Sequence, residues 1–243
     1  MLRALLTSLA VAVMATVPAS ALEFDRLRML TAEEHVPWRA VGRVNIANFG
    51  ERGMCTGTLI SEDLVLTAAH CVISDRTGAP HAPGNIHFVA GWRQGQRVGH
   101  SVASELIIHS EYLSAKGDEL QQIGADLAVI RLRDPIPAKS APFFSVAPSP
   151  GNDAPLTLIS YRRDRAHALT RQQGCKILGE EGPVMALGCD VTFGASGSPI
   201  FAEVDGERRL IGVISAMSRP NGRPIAWAVR LDAAIGDVLY RLN

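Results

Sequence analysis

Three short stretches carry residue types that can shuttle a proton, orient a base and attack a carbonyl. In Leu66-Thr67-Ala68-Ala69-His70-Cys71 a run of small residues leads from a strand-like segment into a histidine, with a cysteine directly after it. A lone histidine is usually structural. A cysteine bridge next to this one would restrict its backbone, and a fixed imidazole is what a general base requires. In Asp126-Leu127-Ala128-Val129-Ile130-Arg131-Leu132 an acid precedes an apolar strand. It could cap a turn, or it could accept from a histidine, orient the ring and stabilise its cation. In Phe193-Gly194-Ala195-Ser196-Gly197-Ser198-Pro199 glycines on both sides of one serine permit a tight backbone whose N–H groups converge. That arrangement can hold an oxyanion, here on the amides of Gly194 and Ser196; a Gly/Ser loop with no chemical role is the plain alternative.

The elements that must position these residues read as strands. Val41–Asn48, Thr56–Ile60, Leu64–Thr67, Ile86–Ala90 and Asp126–Leu132 form one group. Pro155–Tyr161, Lys176–Leu178, Val184–Leu187, Ser198–Val204, Arg208–Ser215 and Ile225–Leu231 form a second. Asp205-Gly206 is a hairpin signal because both residues tolerate positive φ, and Asn221-Gly222 is another. The proline-rich stretch between the groups reads as a connector. One helix is expected, at the C-terminus, capped by Asp232 and packed through Ile235, Val238, Leu239 and Leu242. The fold class is therefore all-β, two antiparallel units and a terminal helix.

Residue order excludes two other serine-hydrolase plans. The α/β-hydrolase elbow needs its histidine after the serine, and the last histidine here is His167. The subtilisin order needs an acid before His70 and an α/β pattern.

The 243 residues carry 24 basic and 24 acidic side chains, with 47% hydrophobic and 20% charged residues. This balance excludes a disordered chain. No basic excess marks a nucleic-acid binder, and 5% aromatics argues against a base-stacking surface. Residues 1–21 read as a signal peptide: Met1-Leu2-Arg3, an uncharged apolar run from Ala4 to Val17, then Ala19-Ser20-Ala21. An uncleaved anchor is the rival, disfavoured by Pro18. Export, to the exterior or the periplasm, lets four cysteines pair. Three connectivities are open; placement suggests Cys55 with Cys71 and Cys175 with Cys189. No metal-ligand spacing of the C-x-x-C or H-E-x-x-H kind is present, and no metal or cofactor is expected.

With Cys55-Thr56-Gly57-Thr58-Leu59-Ile60 added to the three stretches above, the chain resembles a trypsin-like (chymotrypsin-fold) serine protease of the secreted bacterial, glutamyl-endopeptidase-like branch. The resemblance runs from Val36-Pro37-Trp38 to the terminal helix. It implies two six-stranded β-barrels with the site between them, His70 as base, Asp126 as orienting acid and Ser196 as nucleophile. The implied layout is 22–37 as an N-terminal segment or short prosegment, 38–134 as the first barrel and 135–151 as the connector. The second barrel then spans 152–231 and the helix 232–243. It implies protein or peptide substrates, no nucleic acid, no membrane after signal cleavage, and a monomer.

Trypsin relatives place an acid just before the nucleophile to pair with a freed amine; Ala195 stands there, so that switch is absent in its usual form. Asp190 falls where trypsin selects basic residues, though a structural role is the stronger expectation. Ser215, Ala216 and Met217 fall on the pocket wall, and Met217 and Ile225 stand where trypsin has glycines, narrowing the pocket toward small or medium apolar residues. Ile214 stands where glutamyl endopeptidases place a carboxylate-binding histidine. His81, His87 and His109 read as surface or loop residues, and Asp118-Glu119 as solvated acids. A catalytically silent binding protein on the same fold is the alternative function.

Overall fold

The structure, a computed structural model, describes residues 27–48, 51–115, 117–151 and 154–242; the expected signal peptide lies outside them. After β1 (Arg28–Met29) and the short helix α1 (Ala32–His35), six strands close a barrel. They are β2 (Val41–Asn48), β3 (Glu51–Leu59), β4 (Leu64–Thr67), β5 (Ile86–Ala90), β6 (Gly99–Ile108) and β7 (Ala128–Leu132), in the order β2-β3-β4-β7-β6-β5. Every pairing is antiparallel. Val44, Leu59, Val65, Ile86, Phe88 and Ile130 fill its interior and are fully buried. Strand β6 is absent from the sequence reading. Its alternation breaks at a register shift between Ala103 and Glu105, and the polar Ser101 points inward.

The second unit carries β8 (Leu156–Arg162), β9 (Arg165–Cys175), β10 (Ile177–Glu181), β11 (Val184–Leu187), β12 (Pro199–Val204), β13 (Glu207–Ser218) and β14 (Ile225–Arg230). With β1 they form an eight-stranded antiparallel sheet in the order β1-β9-β8-β12-β13-β14-β11-β10, where six strands were expected. The N-terminal segment accounts for one extra strand, since β1 pairs with β9 through Arg28–Arg171 and Met29–Thr170. The polar run of β9, Arg165–Cys175, hides it from a hydrophobicity reading. Asp205 and Gly206 turn the β12–β13 hairpin with φ of 53° and 75°.

Residues 28–30 are built into this unit. Leu30 is buried against Tyr161 and Leu169 and donates its amide to Leu169 O at 2.9 Å. Thr31 and Glu34 form a capping box on α1. One apolar cluster, including Trp38, Leu66, Ile107, Leu127, Tyr161, Phe201 and Val229, joins the two units.

Asp118 and Glu119 are exposed, as read, but they open a helix the sequence reading lacked, α2 (Glu119–Gly124): the Asp118 carboxylate accepts from Gln121 N at 3.0 Å and caps it. The C-terminal helix α3 (Leu231–Tyr240) starts one residue early. Asp232 lies inside it and pairs with Arg230, so it is not the cap. Leu231, Ala234 and Val238 form its buried stripe, while Leu239 is exposed. Asp237 ties the helix to Ser110, accepting from its amide and hydroxyl at 2.8 Å each.

Candidate active site

Strand β4 delivers Thr67, and the fully buried Ala68 and Ala69 thread between the units into a single 3-10 turn, Ala69–Val72, that presents His70. The disulfide Cys55–Cys71 anchors this turn to β3; Cys175–Cys189 closes the base of the β10–β11 hairpin, so both expected pairings are present. The two sulfurs beside His70 are bonded to each other and offer no thiolate to a metal.

Asp126 sits between α2 and β7, its amide bonded to Ile123 O at 3.1 Å and its side chain buried. Its two oxygens divide the work of holding His70. Oδ1 accepts the His70 backbone N–H at 2.9 Å, and Oδ2 lies 2.7 Å from Nδ1. An ionised carboxylate only accepts, so Nδ1 carries the proton and Nε2 keeps its lone pair. Burial alone pushes the His70 pKa down, but the charge and hydrogen bond of Asp126 outweigh it and leave the pKa above its ordinary value. Ser215 Oγ donates to Asp126 Oδ2 at 2.6 Å. A register shift between Ile214 and Ala216 in the β13–β14 pairing turns Ser215 toward that acid.

Ser196 faces the same cleft, a cavity of ≈ 860 Å³ whose lining includes His70, Cys71, Arg163, Phe193 and Gly194. Among the described residues no hydrogen bond joins its hydroxyl to His70. Gly194 and Gly197 hold φ of 92° and 76°, the left-handed region that glycine alone enters freely. A Cβ at Gly197 would strike Thr56 O and Thr67 Oγ1. Within the loop the amides of Ala195, Gly197 and Ser198 bond to Thr192 O, Ile214 O and Ala195 O at 3.0, 2.8 and 3.0 Å. The amides of Gly194 and Ser196, the expected oxyanion donors, have no partner among the described residues.

The expected pocket residues fall into two groups. Ser215, Ala216 and Met217 follow one another on β13, and Ile225 opens β14 opposite Ser218. Met217 is exposed and Ser215 buried. Asp190 is occupied: its carboxylate pairs with Arg219, its carbonyl accepts from Arg162 Nη1 at 2.9 Å, and its amide donates to Gln172 Oε1 at 3.0 Å. The sequence reading missed Arg219, Arg162 and Thr56, because no motif spacing links them to the serine loop. His81 lies in a loop, as read, and is buried there.

Two antiparallel β units clasping a cleft with a histidine, an acid and a glycine-flanked serine define the chymotrypsin-like fold. Residues 55–213 match the model of the trypsin-like peptidase domain, and the chain belongs to that family, a serine endopeptidase and hydrolase. Solved structures agree on the fold. A Glu endopeptidase determined in complex with MPD superposes with a TM-score of 0.71 at 20% identity, over 89% of this chain and 94% of that one. The thermostable serine protease AL20 from an extremophilic microorganism gives 0.69 at 16%, over 84% and 97%. Protease Anisep from Arthrobacter nicotinovorans gives 0.65 at 18%, over 80% and 91%.

Proposed function

We propose that this protein is an exported endopeptidase that cleaves peptide bonds through an acyl-enzyme on Ser196, with His70 as general base and Asp126 as its orienting acid. The observation that carries the reading is the two-oxygen clamp of Asp126 on His70, which leaves Nε2 proton-free in the cleft that Ser196 shares. Ser196 Oγ attacks the substrate carbonyl as its proton passes to Nε2, a transfer that requires the pair to close to hydrogen-bonding distance when substrate fills the cleft. The carbonyl oxygen, now negative, receives the Gly194 and Ser196 amides. His70 then protonates the leaving amine, and water, deprotonated by the same imidazole, releases the acid and restores Ser196.

For specificity, we assign the residue before the scissile bond to a small or medium apolar class. Met217 and Ile225 occupy the β13–β14 wall, and Asp190 is already neutralised by Arg219, which argues against selection of basic residues. The domain limits are proposed as in the expected layout; pairing of residues 28–30 with β9 argues that the N-terminal segment is retained against the second unit rather than shed. Export is supported by two disulfides; among the described residues no helix is long and apolar enough to cross a membrane.

The test is intact-mass analysis of residues 22–243 after exposure to a fluorophosphonate, with Ser196→Ala beside it. One adduct on the wild type and none on the variant is expected, with peptide-library cleavage following. An unlabelled wild type, still inert after trimming at Arg28, would give the lead to the silent binding protein.

A further inference from the structure

We infer that Thr56, on β3 of the first barrel, is the positioning residue that aims the oxyanion donors of the second unit and fixes them relative to His70. The inference rests on the reading of Ser196 and His70 just proposed.

The geometry is an alternation along the serine loop. In a trans peptide the N–H points opposite to the C=O, so pinning a carbonyl aims the N–H of the same plane. In the 193–194 and 195–196 planes the carbonyls are pinned, Phe193 O by Arg163 N at 2.8 Å and Ala195 O by Ser198 N at 3.0 Å. Their N–H partners, on Gly194 and Ser196, are the open ones. In the 194–195 and 196–197 planes both ends are held. The N–H ends go to Thr192 O and Ile214 O, and both carbonyl ends go to Thr56: its hydroxyl donates to Gly194 O at 2.9 Å and its amide to Ser196 O at 2.8 Å. Thr56 therefore supplies fixed points on both sides of the Ser196 donor and on the C-terminal side of the Gly194 donor.

Thr56 is itself over-determined. It is fully buried, its hydroxyl oxygen accepts Tyr161 N–H at 3.0 Å, and its carbonyl accepts Thr67 Oγ1 at 2.8 Å. It also follows Cys55, which is bonded to Cys71, the neighbour of His70. One rigid frame thus runs from Asp126 through His70, the disulfide and Thr56 to the serine loop, crossing between the units without passing through Ala195. Loop and base are registered by this frame, and no acid at position 195 is needed to orient the loop. The hydroxyl is the specific part, because the Thr56 amide bond survives any side-chain substitution except proline.

Thr56→Val keeps the shape but leaves Gly194 O and Tyr161 N–H without their partner. The experiment measures kcat and KM on a peptide amide, normalised to fluorophosphonate-titrated sites, and the Ki of a peptide aldehyde whose adduct places an oxyanion in the hole. Expected for Thr56→Val is a kcat loss of about 10- to 100-fold, below the cost of deleting a donor outright, with KM within about threefold. The aldehyde should weaken by the same factor, while a peptide-acid product inhibitor does not change. Thr56→Ser, which restores the hydroxyl, should return kcat to within about threefold of wild type. A merely structural role would lower melting temperature without moving the kcat-to-KM split. Wild-type kcat per site in Thr56→Val overturns the inference, as does a Thr56→Ser variant that loses kcat; the latter holds even if Thr56→Val does not fold. Wild-type protein that takes no fluorophosphonate overturns the underlying reading instead, whatever Thr56 does.

Discussion

The Ser215 hydroxyl donates to Asp126 Oδ2 at 2.6 Å, the same oxygen that holds His70 Nδ1 at 2.7 Å. Two donors sharing one carboxylate oxygen spread its charge, so Ser215 moderates how strongly Asp126 stabilises the imidazolium. Removing it in Ser215→Ala should move the acid limb of kcat/KM to higher pH and lower kcat by about three- to tenfold through a looser ring. A pH–rate profile measures both effects, and an unchanged limb counts against the link.

His70 must be neutral to accept a proton. Its pKa lies above the ordinary 6.5 because Asp126 outweighs burial, so activity is full above that raised value and is lost as pH falls through it. In Asp126→Asn the carboxylate charge is gone and only the weaker influence of Asp75 opposes burial, which lowers the histidine pKa. The acid limb should then shift to lower pH while kcat falls by about 10⁴, since the amide no longer fixes the tautomer. Both directions are read from one pH series on each protein.

His35 offers a stability counterpart. It is buried, with Nε2 unpartnered among the described residues, and burial, reinforced by the positive charge of Arg93, holds its pKa down at about 4. A histidine whose folded pKa is depressed contributes stability above its unfolded value near 6.5 and loses it as pH falls toward 4. The loss across that window is roughly 2–3 kcal/mol. Chemical denaturation at pH 7.5 and 4.5 should show His35→Leu with the shallower pH dependence of the two proteins; equal slopes would remove His35 as the cause.

Arg219 pairs with Asp190, the acid that the proposed specificity pocket would hold at its base. Arg219→Ala leaves that acid unpaired, and cleavage after Lys or Arg should rise relative to apolar residues by about tenfold. Peptide-library profiling checks it, and an unchanged preference would place Asp190 outside the pocket.

The Cys55–Cys71 bridge closes a 16-residue separation. Replacing both cysteines by alanine should cost about 3 kcal/mol of stability. Activity should fall further than stability at a temperature where the variant is folded, because the turn that carries His70 loses its anchor. Calorimetry and rates at that temperature separate the two.

Sequence alone determined what is local. The small-residue run into His70, the glycines around Ser196 and the Asp205-Gly206 hairpin are read from side-chain size and allowed φ, which neighbours in the chain dictate. The strands β2, β4, β5 and β11 are legible with their observed limits: β5 alternates with a period of two, while β4 and β11 are short continuous apolar runs bounded by turn residues. Strands β6 and β9 are not. A bulge shifts the phase of one, and the other is polar along most of its length and is stabilised by partners on both sides. The Asp232 cap failed for a similar reason: Arg230 claims the carboxylate and the helix begins before it. What the tertiary structure decided is every contact between segments distant in the chain. Asp190 is an acid in the sequence, but only folding brings Arg219, 29 positions away, against it. Thr56 is one residue in a strand pattern until 138 positions of chain return to place Gly194 O on its hydroxyl. A hydrogen bond of that kind has no period and no composition. It exists because two β units, each shaped by its own apolar faces, meet on a shared core that leaves room for one buried threonine.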